Sequence, residues 1–299
     1  MVATRIIPRL DIKGPNLVKG IHLEGLRTLG TPDAFAQYYY ESGADELLFI
    51  DAVASLYGRN SLLPVIERTA RQLFIPLTVG GGLRTLDDMS AALNAGADKV
   101  AINTAAVERP ALVAEAAEKF GTSTVVVGID AKRRSEGGWT AFTGNGRDNS
   151  HKPVVAWARE VASLGAGEIL LTSIDREGTG QGFDVDLTRE VAMTVDIPVI
   201  ACGGAGRAEH VRDVLIDGKA DAVGCASILH YNFVQVLKSR GFKFSSDGDF
   251  EVISERRDYA RVVPTTVQAL KHLLTNAGIE VRIDRVYSPP TIDAAALGR

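Results

Sequence analysis

Short apolar runs rich in β-branched residues alternate along this chain with longer stretches in which apolar residues recur at helical spacing. Such alternation predicts parallel strands with helices packed outside them. The strands are predicted at residues 5–11, 45–51, 75–79, 98–103, 123–130, 167–173, 197–202 and 221–226. Amphipathic helices are predicted between them, among others at residues 32–42, 62–72, 86–95, 111–119, 153–164 and 187–195.

The number of these units and an internal repeat predict the architecture. Eight strand–helix units over about 230 residues fit a closed (β/α)8 barrel, or TIM barrel, better than an open doubly wound sheet. Periodicity alone does not show closure, so the open sheet stays as the alternative. The stretch from Ile75 parallels the stretch from Ile197, an offset of 122 residues that also brings Gly81–Gly82 onto Gly203–Gly204. Two half-barrels of four units each would produce this repeat.

We expect a single domain. The barrel is predicted to span residues 1–285, including a polar insertion at about 241–263 that precedes the last barrel helix at 266–276. The final residues, 286–299, are expected to form a flexible C-terminal tail.

Composition excludes several classes of protein. The net charge of −4 gives no electrostatic case for nucleic-acid binding. No apolar run approaches the roughly 18 residues that span a bilayer, and the first residues lack the apolar segment of a signal peptide. The two cysteines, Cys202 and Cys225, form no disulfide framework and are expected to be small core residues, so a cytoplasmic location is predicted.

Two carboxylates stand where predicted strands end. Asp11 closes the first strand and Asp130 closes the fifth, and barrel active sites are built at these C-terminal strand ends. Because strands 1 and 5 lie opposite each other in an eight-stranded barrel, the two acids are predicted to face each other across its mouth. Such a pair suits general acid–base catalysis, and two unrelated turn aspartates are the alternative.

Glycine-rich turns follow the third and seventh strands. They contain Gly80–Gly82 and Gly203–Gly206, and glycine lets backbone N–H groups converge on a phosphate. The fourth and eighth strands end in Asn103–Thr104 and Ala226–Ser227. The repeat therefore predicts two phosphate sites and a substrate with a phosphate at each end, although glycine at these turns also suits close helix–strand packing.

Charged residues occur near the starts of four strands: Arg5, Glu46, Lys99 and Glu168. Side chains alternate along a strand, so Arg5 would point into the barrel axis at the end opposite Asp11. Two cations and two carboxylates could close the barrel's base as a neutral ring, and exposed surface pairs are the alternative. The same parity places Arg9 in the lumen between this ring and Asp11, with its guanidinium paired to an acid or near the mouth. A bulge at Pro8 that turns Arg9 outward is the alternative.

Several long stretches together resemble the family of cyclase subunits of imidazole glycerol phosphate synthase, which are (β/α)8 barrels of histidine biosynthesis. They include RIIPRLD, GADELLFID, FIPLTVGGGLR, GADKVAINTAA, GIDAKR, LGAGEILLTSIDREGT and IPVIACGGAG. The resemblance covers residues 5 to about 230 and resumes in the last helix. The sister isomerase barrel of the same pathway also has two aspartates and two phosphate sites, but LTSIDREGT, GGAG and the four charged residues favour the cyclase.

The resemblance implies a role for each candidate residue. Asp11 and Asp130 are implied to be the acid–base pair that converts a bis-phosphorylated aminoimidazole-carboxamide ribotide, with ammonia, to imidazole glycerol phosphate and the released carboxamide ribotide. Lys19 would help to order the substrate in a loop. The implied phosphate ligands are Gly82, Asn103 and Thr104 at one end, and Glu177, Gly178, Gly204, Ala226 and Ser227 at the other. The family uses no metal or organic cofactor.

The resemblance also implies a partner. Arg5, Glu46, Lys99 and Glu168 match the family's gate at the barrel base, where ammonia enters from a glutaminase subunit docked on the N-terminal face. Arg9 stands where the family usually has Cys, Glu177 replaces an Asp, and the 241–263 insertion is foreign to the standard cyclase. The alternatives are a paralogue that supplies ammonia for amidation of a nucleotide-linked sugar in surface polysaccharide synthesis, and a non-catalytic scaffold for a glutaminase.

Overall fold

The computed structural model describes residues 3–54, 62–241 and 261–283. Its strands are β1 (Arg5–Lys13), β2 (Asn16–Ile21), β3 (Glu24–Gly30), β4 (Leu47–Asp51), β5 (Leu77–Gly80), β6 (Lys99–Ile102), β7 (Val125–Arg133), β8 (Trp139–Thr143), β9 (Asp148–Pro153), β10 (Glu168–Ser173), β11 (Val199–Cys202) and β12 (Ala222–Cys225). Its helices are α1 (Pro32–Glu41), α2 (Leu63–Ala70), α3 (Leu86–Asn94), α4 (Thr104–Glu108), α5 (Ala111–Phe120), α6 (Val154–Ser163), α7 (Val185–Ala192), α8 (Ala208–Ile216), α9 (Ser227–Ser239) and α10 (Val267–Asn276).

The barrel strands form a closed parallel sheet. Around the barrel they follow the order β1, β4, β5, β6, β7, β10, β11, β12, and β12 pairs in parallel with β1. The pairing of β7 with β10 links the two halves of the ring. The predicted (β/α)8 barrel is therefore confirmed, and closure removes the open-sheet alternative.

Each half-barrel opens with a strand that continues into an antiparallel hairpin. Strand β1 pairs with β2, which pairs with β3, and β7 pairs in the same way with β8 and β9. The structural repeat thus extends to two hairpins that the periodicity analysis did not predict. The outer strand of each hairpin, β3 or β9, is mostly half-buried or exposed, so it lacks the apolar alternation that marks a strand in sequence.

Side chains alternate between the two faces of each barrel strand, so apolar residues form one layer under the helices and another inside the lumen. Ile6 and Leu10 on β1 join the large core between the barrel and its helices. Ile7, one position along, points into the lumen and joins a smaller cluster. We call this cluster the lumen layer: Ile7, Leu48, Ala101, Val126, Leu170, Ile200, Cys202 and Ala222. A barrel of this kind is filled by side chains rather than hollow.

The last helix, α10, completes the layer of helices around the barrel. α10 packs against α8, and Lys271 donates to Asp45 Oδ1 and to the Gly43 carbonyl, both at 2.7 Å. Most of the predicted insertion, at 242–260, and the predicted tail lie outside the described residues. No helix in the described part of the chain is long and apolar enough to cross a membrane.

Gly224→Ala should lower the free energy of unfolding by about 1–3 kcal/mol, because a Cβ there would lie 2.1 Å from Cys202 Sγ. Adding Cys202→Ala should recover most of the loss, since only the sulfur makes the clash. Urea unfolding of the two single variants and the double variant measures the coupling. Additive losses in the double variant would show that the clash is not the cause.

Candidate active site

The two candidate carboxylates lie at the C-terminal ends of their strands, as barrel geometry requires. In the register of the sheet, Asp11 on β1 lies beside Ile50 on β4. Asp130 on β7 lies beside Thr172 on β10, on the opposite side of the ring. A pocket of about 190 Å³ opens at this end of the barrel. Its lining includes Arg9, Asp51, Gly81, Gly82, Arg84, Asn103, Thr104, Gly128, Asp130, Asn145 and Thr172.

Asp130 is set up to exchange a proton near neutral pH. Burial raises the pKa of its carboxyl to about 6, and the charges of Asp11 and Glu177 act in the same direction. Arg9 and a hydrogen bond of 2.9 Å from Asn103 Nδ2 oppose this rise without cancelling it. Asp130 therefore titrates closer to neutrality than an ordinary aspartate.

Asp11 has a different environment because Arg9 is paired with it. Arg9 Nε donates to Asp11 Oδ1 at 2.9 Å, and both side chains are buried. Burial alone would lower the pKa of the guanidinium, but Asp11 and Glu177 outweigh it and raise that pKa. β1 keeps an unbroken register from Arg5 to Lys13, so no bulge turns Arg9 outward. The two aspartates thus differ in their partners: a guanidinium for Asp11 and an amide for Asp130.

Lys19 and Glu177 form a buried ion pair that the sequence did not indicate. Lys19 lies on β2, and its Nζ donates to the Glu177 carboxylate and, at 2.9 Å, to the Gly20 carbonyl. Burial alone would raise the pKa of Glu177, but Lys19 and Arg9 lower it overall. This ion pair connects the β2–β3 hairpin to the loop that follows β10. Nothing in the spacing of two residues 158 positions apart could have predicted it.

Further contacts hold the tip of the same hairpin over the mouth. The His22 backbone N–H donates to the Glu177 carbonyl at 2.9 Å, and His22 Nδ1 lies 2.7 Å from the Ile174 carbonyl oxygen. Asn145, in the turn between β8 and β9, donates to the Leu23 carbonyl. The two hairpins of the half-barrel repeat therefore meet above the pocket.

The structure brings the first set of predicted phosphate ligands together. Gly82, Asn103 and Thr104 all line the pocket, and Thr104 Oγ1 accepts from the Gly144 N–H. Gly81, beside them, has φ +91°, and a Cβ there would lie 2.5 Å from the Asp51 carbonyl oxygen. The turn after β5 therefore requires glycine, and its backbone can approach a ligand closely.

The second set lies on adjoining loops after β10, β11 and β12. Gly204 has φ +104°, and a Cβ there would meet the Gly182 carbonyl at 2.2 Å. Gly178 packs against the Gly20 carbonyl in the same way. Ala226 and Ser227 follow β12, the neighbour of β11, and Ser227 begins α9. Glu177 is engaged by Lys19, so its carboxylate orients a cation in this region.

The four charged residues at the strand starts form a ring of ion pairs. Arg5 pairs with Glu46 at 2.8 Å and with Glu168 at 3.0 Å, and Lys99 lies 3.0 Å from each of the same two carboxylates. Thr78 also donates to Glu46. We call these four residues the basal ring; they are mostly buried rather than a set of exposed surface pairs. Thr78 was missed because a threonine within a strand carries no distinctive signal.

Three other residues around the site were not singled out from the sequence. Asp51 ends the predicted strand 45–51 as Asp11 and Asp130 end their predicted strands, so the strand-end criterion could have found it. Thr172 and Asn145 had no such signal.

Both cysteines are buried and free, and burial raises the pKa of Cys202 to about 12, so its thiol is a poor nucleophile. Within the described residues, no three His, Cys, Asp or Glu side chains are grouped to hold a metal ion.

Comparison with known proteins places this barrel in a family. The model of the family described as histidine biosynthesis protein matches residues 5–235, and the chain belongs to that family. It is 56% identical over 210 residues to the imidazole glycerol phosphate synthase subunit HisF of Legionella pneumophila, covering 70% of this chain and 99% of the relative. It is 54% identical over 243 residues to the HisF subunit of Geobacillus thermodenitrificans, covering 81% of this chain and 96% of the relative.

Asp130→Asn should raise the free energy of unfolding at pH 7 by up to about 3 kcal/mol, since each pKa unit is worth about 1.4 kcal/mol. The pKa is about 6 in the folded protein and 3.8 in the reference state, so the ionised carboxylate disfavours folding. Wild-type stability should therefore fall relative to the variant as pH rises through about 6. Urea unfolding over this pH range measures the difference.

Asp88→Asn is the matched control with the opposite sign. Burial works to raise the pKa of Asp88, but N–H groups of Arg84 and Thr85 donate to its carboxylate and lower it. This variant should lose stability relative to wild type above the pKa of the unfolded aspartate. A wild-type protein that gains stability over Asp130→Asn with rising pH would contradict the assignment for Asp130.

Proposed function

We propose that this chain is the cyclase subunit of an imidazole glycerol phosphate synthase. Using ammonia, it would convert a bis-phosphorylated aminoimidazole-carboxamide ribotide to imidazole glycerol phosphate, the carboxamide ribotide that leaves, and water from the carbonyl oxygen that the ammonia nitrogen replaces. The observation that carries the proposal is the pair of buried aspartates with different environments at the barrel mouth. The 54–56% identity to two HisF subunits supports the same reaction.

The reaction needs groups that both accept and donate protons. Ammonia loses protons as its nitrogen bonds to carbon, while the nitrogen of the departing aminoimidazole gains one. Asp130, with a pKa of about 6, can exist in either form near neutrality. Asp11 accepts a charge-assisted hydrogen bond from the Arg9 guanidinium, and its carboxyl group would be the second proton-transfer group or would stabilise developing positive charge.

The two glycine-rich loop regions would hold the ends of the substrate. Gly82, Asn103 and Thr104 would take one phosphate; Gly178, Gly204, Ala226 and Ser227 would take the other. Because the regions belong to opposite halves of the barrel, a substrate held by both is drawn across the mouth, between Asp11 and Asp130. Lys19, oriented by Glu177, adds a cation beside the second region.

Asp11→Asn and Asp130→Asn should each lower turnover by about 10²–10⁴-fold, the usual contribution of general acid–base catalysis. The assay supplies the ribotide and excess ammonium and follows imidazole glycerol phosphate formation. Asp148→Asn, an exposed aspartate on β9, is the control and should keep wild-type turnover. Wild-type protein that forms no imidazole product would reject the proposed reaction, and full activity in either variant would reject its assignment to that aspartate.

We also propose that a glutaminase subunit docks on the N-terminal face, where the basal ring lies. Phe74 precedes β5, Met193 follows α7 and Ile216 ends α8, so all three lie at this end of the barrel. They are 82%, 76% and 42% exposed, and exposed large apolar side chains at one end of a barrel fit a protein interface. Ammonia released there would enter through the basal ring.

Phe74→Asp and Met193→Asp should each weaken glutaminase binding by about tenfold or more, the loss expected for a buried interface residue. Turnover with free ammonium should not change, because neither residue reaches the mouth. Val263→Asp, an exposed site by the loops at the opposite end, is the matched control for binding. Titration with a glutaminase from the same organism decides the matter; equal binding by all three variants would exclude this face.

The identity to HisF subunits does not favour the sugar-amidating paralogue or the non-catalytic scaffold. A scaffold would not require both aspartates, whereas the structure retains both at the mouth with distinct environments. Cytoplasmic location remains part of the proposal, in keeping with two free cysteines.

A further inference from the structure

Arg9 stands out because its side chain crosses the barrel. It lies on β1, yet Nη1 donates to Thr172 Oγ1 on β10 at 3.0 Å. In the order of the barrel, β12 and β11 stand between these two strands on the shorter way round. A contact between them is therefore possible only through the lumen.

The position of the guanidinium along the axis follows from its neighbours. Arg9 lines the pocket, whereas Cys202, which accepts a hydrogen bond from Arg9, belongs to the lumen layer. The guanidinium thus lies between the pocket and Cys202, whereas Ala101 and Leu170, on the β6 and β10 side of the same layer, line the pocket themselves. The basal ring lies on the far side of that layer, since Arg5 and Arg9, four residues apart on one strand, differ by about 13 Å along it.

The bridge is fixed at both of its ends. Asp11 accepts from Nε on the β1 side, Thr172 accepts from Nη1 on the β10 side, and the guanidinium is flanked by the further negative charge of Glu177. Arg9 is only 4% exposed, so a swing into solvent would leave Asp11 buried without its cation. These contacts hold the side chain across the lumen.

We propose that Arg9 is an upper barrier that narrows the lumen directly beneath the active site and covers its Cys202 side, a second constriction in addition to the basal ring. This inference rests on the proposed function in one respect only: ammonia that entered at the base would have to pass the section narrowed by Arg9 to reach the pocket. The narrowing itself is a property of the fold. Arg9 therefore controls passage into the pocket and is not a group that reacts with substrate.

The chain contains a probe of the barrier that does not depend on catalysis. Its two cysteines lie on neighbouring strands, but Cys202 faces the lumen beneath Arg9 whereas Cys225 faces the helices. A small thiol reagent that enters from the pocket should reach Cys202 only when the guanidinium is absent or displaced. Cys225 reports any general loosening of the fold.

The first measurement is the rate at which methyl methanethiosulfonate modifies each cysteine of the native protein, followed by peptide mass spectrometry. Arg9→Ala should raise the Cys202 rate about tenfold or more and leave the Cys225 rate unchanged, whereas Arg212→Ala, on the outer surface of α8, should change neither. The increase is expected although Arg9 lowers the pKa of this thiol, so its loss alone would slow the reaction. Thr172→Val, which keeps the Arg9–Asp11 pair, should give a smaller rise of about two- to tenfold from the loss of one hydrogen bond.

An unchanged Cys202 rate in both Arg9→Ala and Thr172→Val would overturn the barrier, and so would parallel increases at Cys202 and Cys225.

The second measurement uses the complex with the glutaminase and compares the glutamine-driven rate with the ammonium-driven rate. Arg9→Cys should raise this ratio about two- to tenfold. Both rates depend on the same aspartates, so altered chemistry at Asp11 cancels in the ratio.

The two proposals fail in different ways. If the wild type forms no imidazole product with ammonium, the proposed function fails while the cysteine rates still decide the barrier. If product forms and the cysteine rates show that Arg9 shields Cys202 but the ratio is unchanged, Arg9 narrows the lumen without lying on the path of ammonia, and the inferred control of passage is wrong.

Discussion

Closure of the eight parallel strands is the constraint on which the rest of this structure depends. Once β7 pairs with β10 and β12 with β1, every second side chain of each strand must share one narrow axis. Along β1 this places Arg5, Ile7, Arg9 and Asp11 at successive depths. A charged ring, an apolar layer, a guanidinium bridge and a candidate catalytic carboxylate follow from four alternate positions in one strand.

Charged side chains form ion pairs at both ends of the lumen. Burying an ion without a partner costs several kcal/mol, so the basal ring has two cations and two carboxylates, and Arg9 at the upper end is matched by Asp11. The same arrangement differentiates the two aspartates at the mouth. Asp11 is hydrogen-bonded to a cation, whereas Asp130 accepts from the amide of Asn103 and burial raises its pKa. Asymmetry between related half-barrels thus gives the two candidate aspartates different electrostatic environments.

The parts of the site that were predictable from the sequence are those fixed by strand parity and strand ends. The alternation of elements predicted all eight barrel strands, and their number favoured a closed barrel over the open sheet without showing closure. Parity correctly placed Arg5 and Arg9 inside. Contacts between distant loops were not predictable in the same way. The Lys19–Glu177 pair joins a polar hairpin to a loop on the opposite half of the chain, and the Arg9–Thr172 contact requires knowing how far a side chain reaches across the lumen. The outer hairpin strands β3 and β9 lack apolar alternation, so sequence patterning alone does not predict them as strands.

The fate of the ammonia nitrogen is the most direct test of the account. A single turnover with the ribotide and ¹⁵N-ammonium, followed by mass spectrometry of both products, shows where that nitrogen goes. The account predicts one ¹⁵N atom in the imidazole ring of imidazole glycerol phosphate and none in the carboxamide ribotide that leaves. Release of unlabelled products, or label in a different acceptor, would contradict the assignment of this barrel as an ammonia-dependent cyclase.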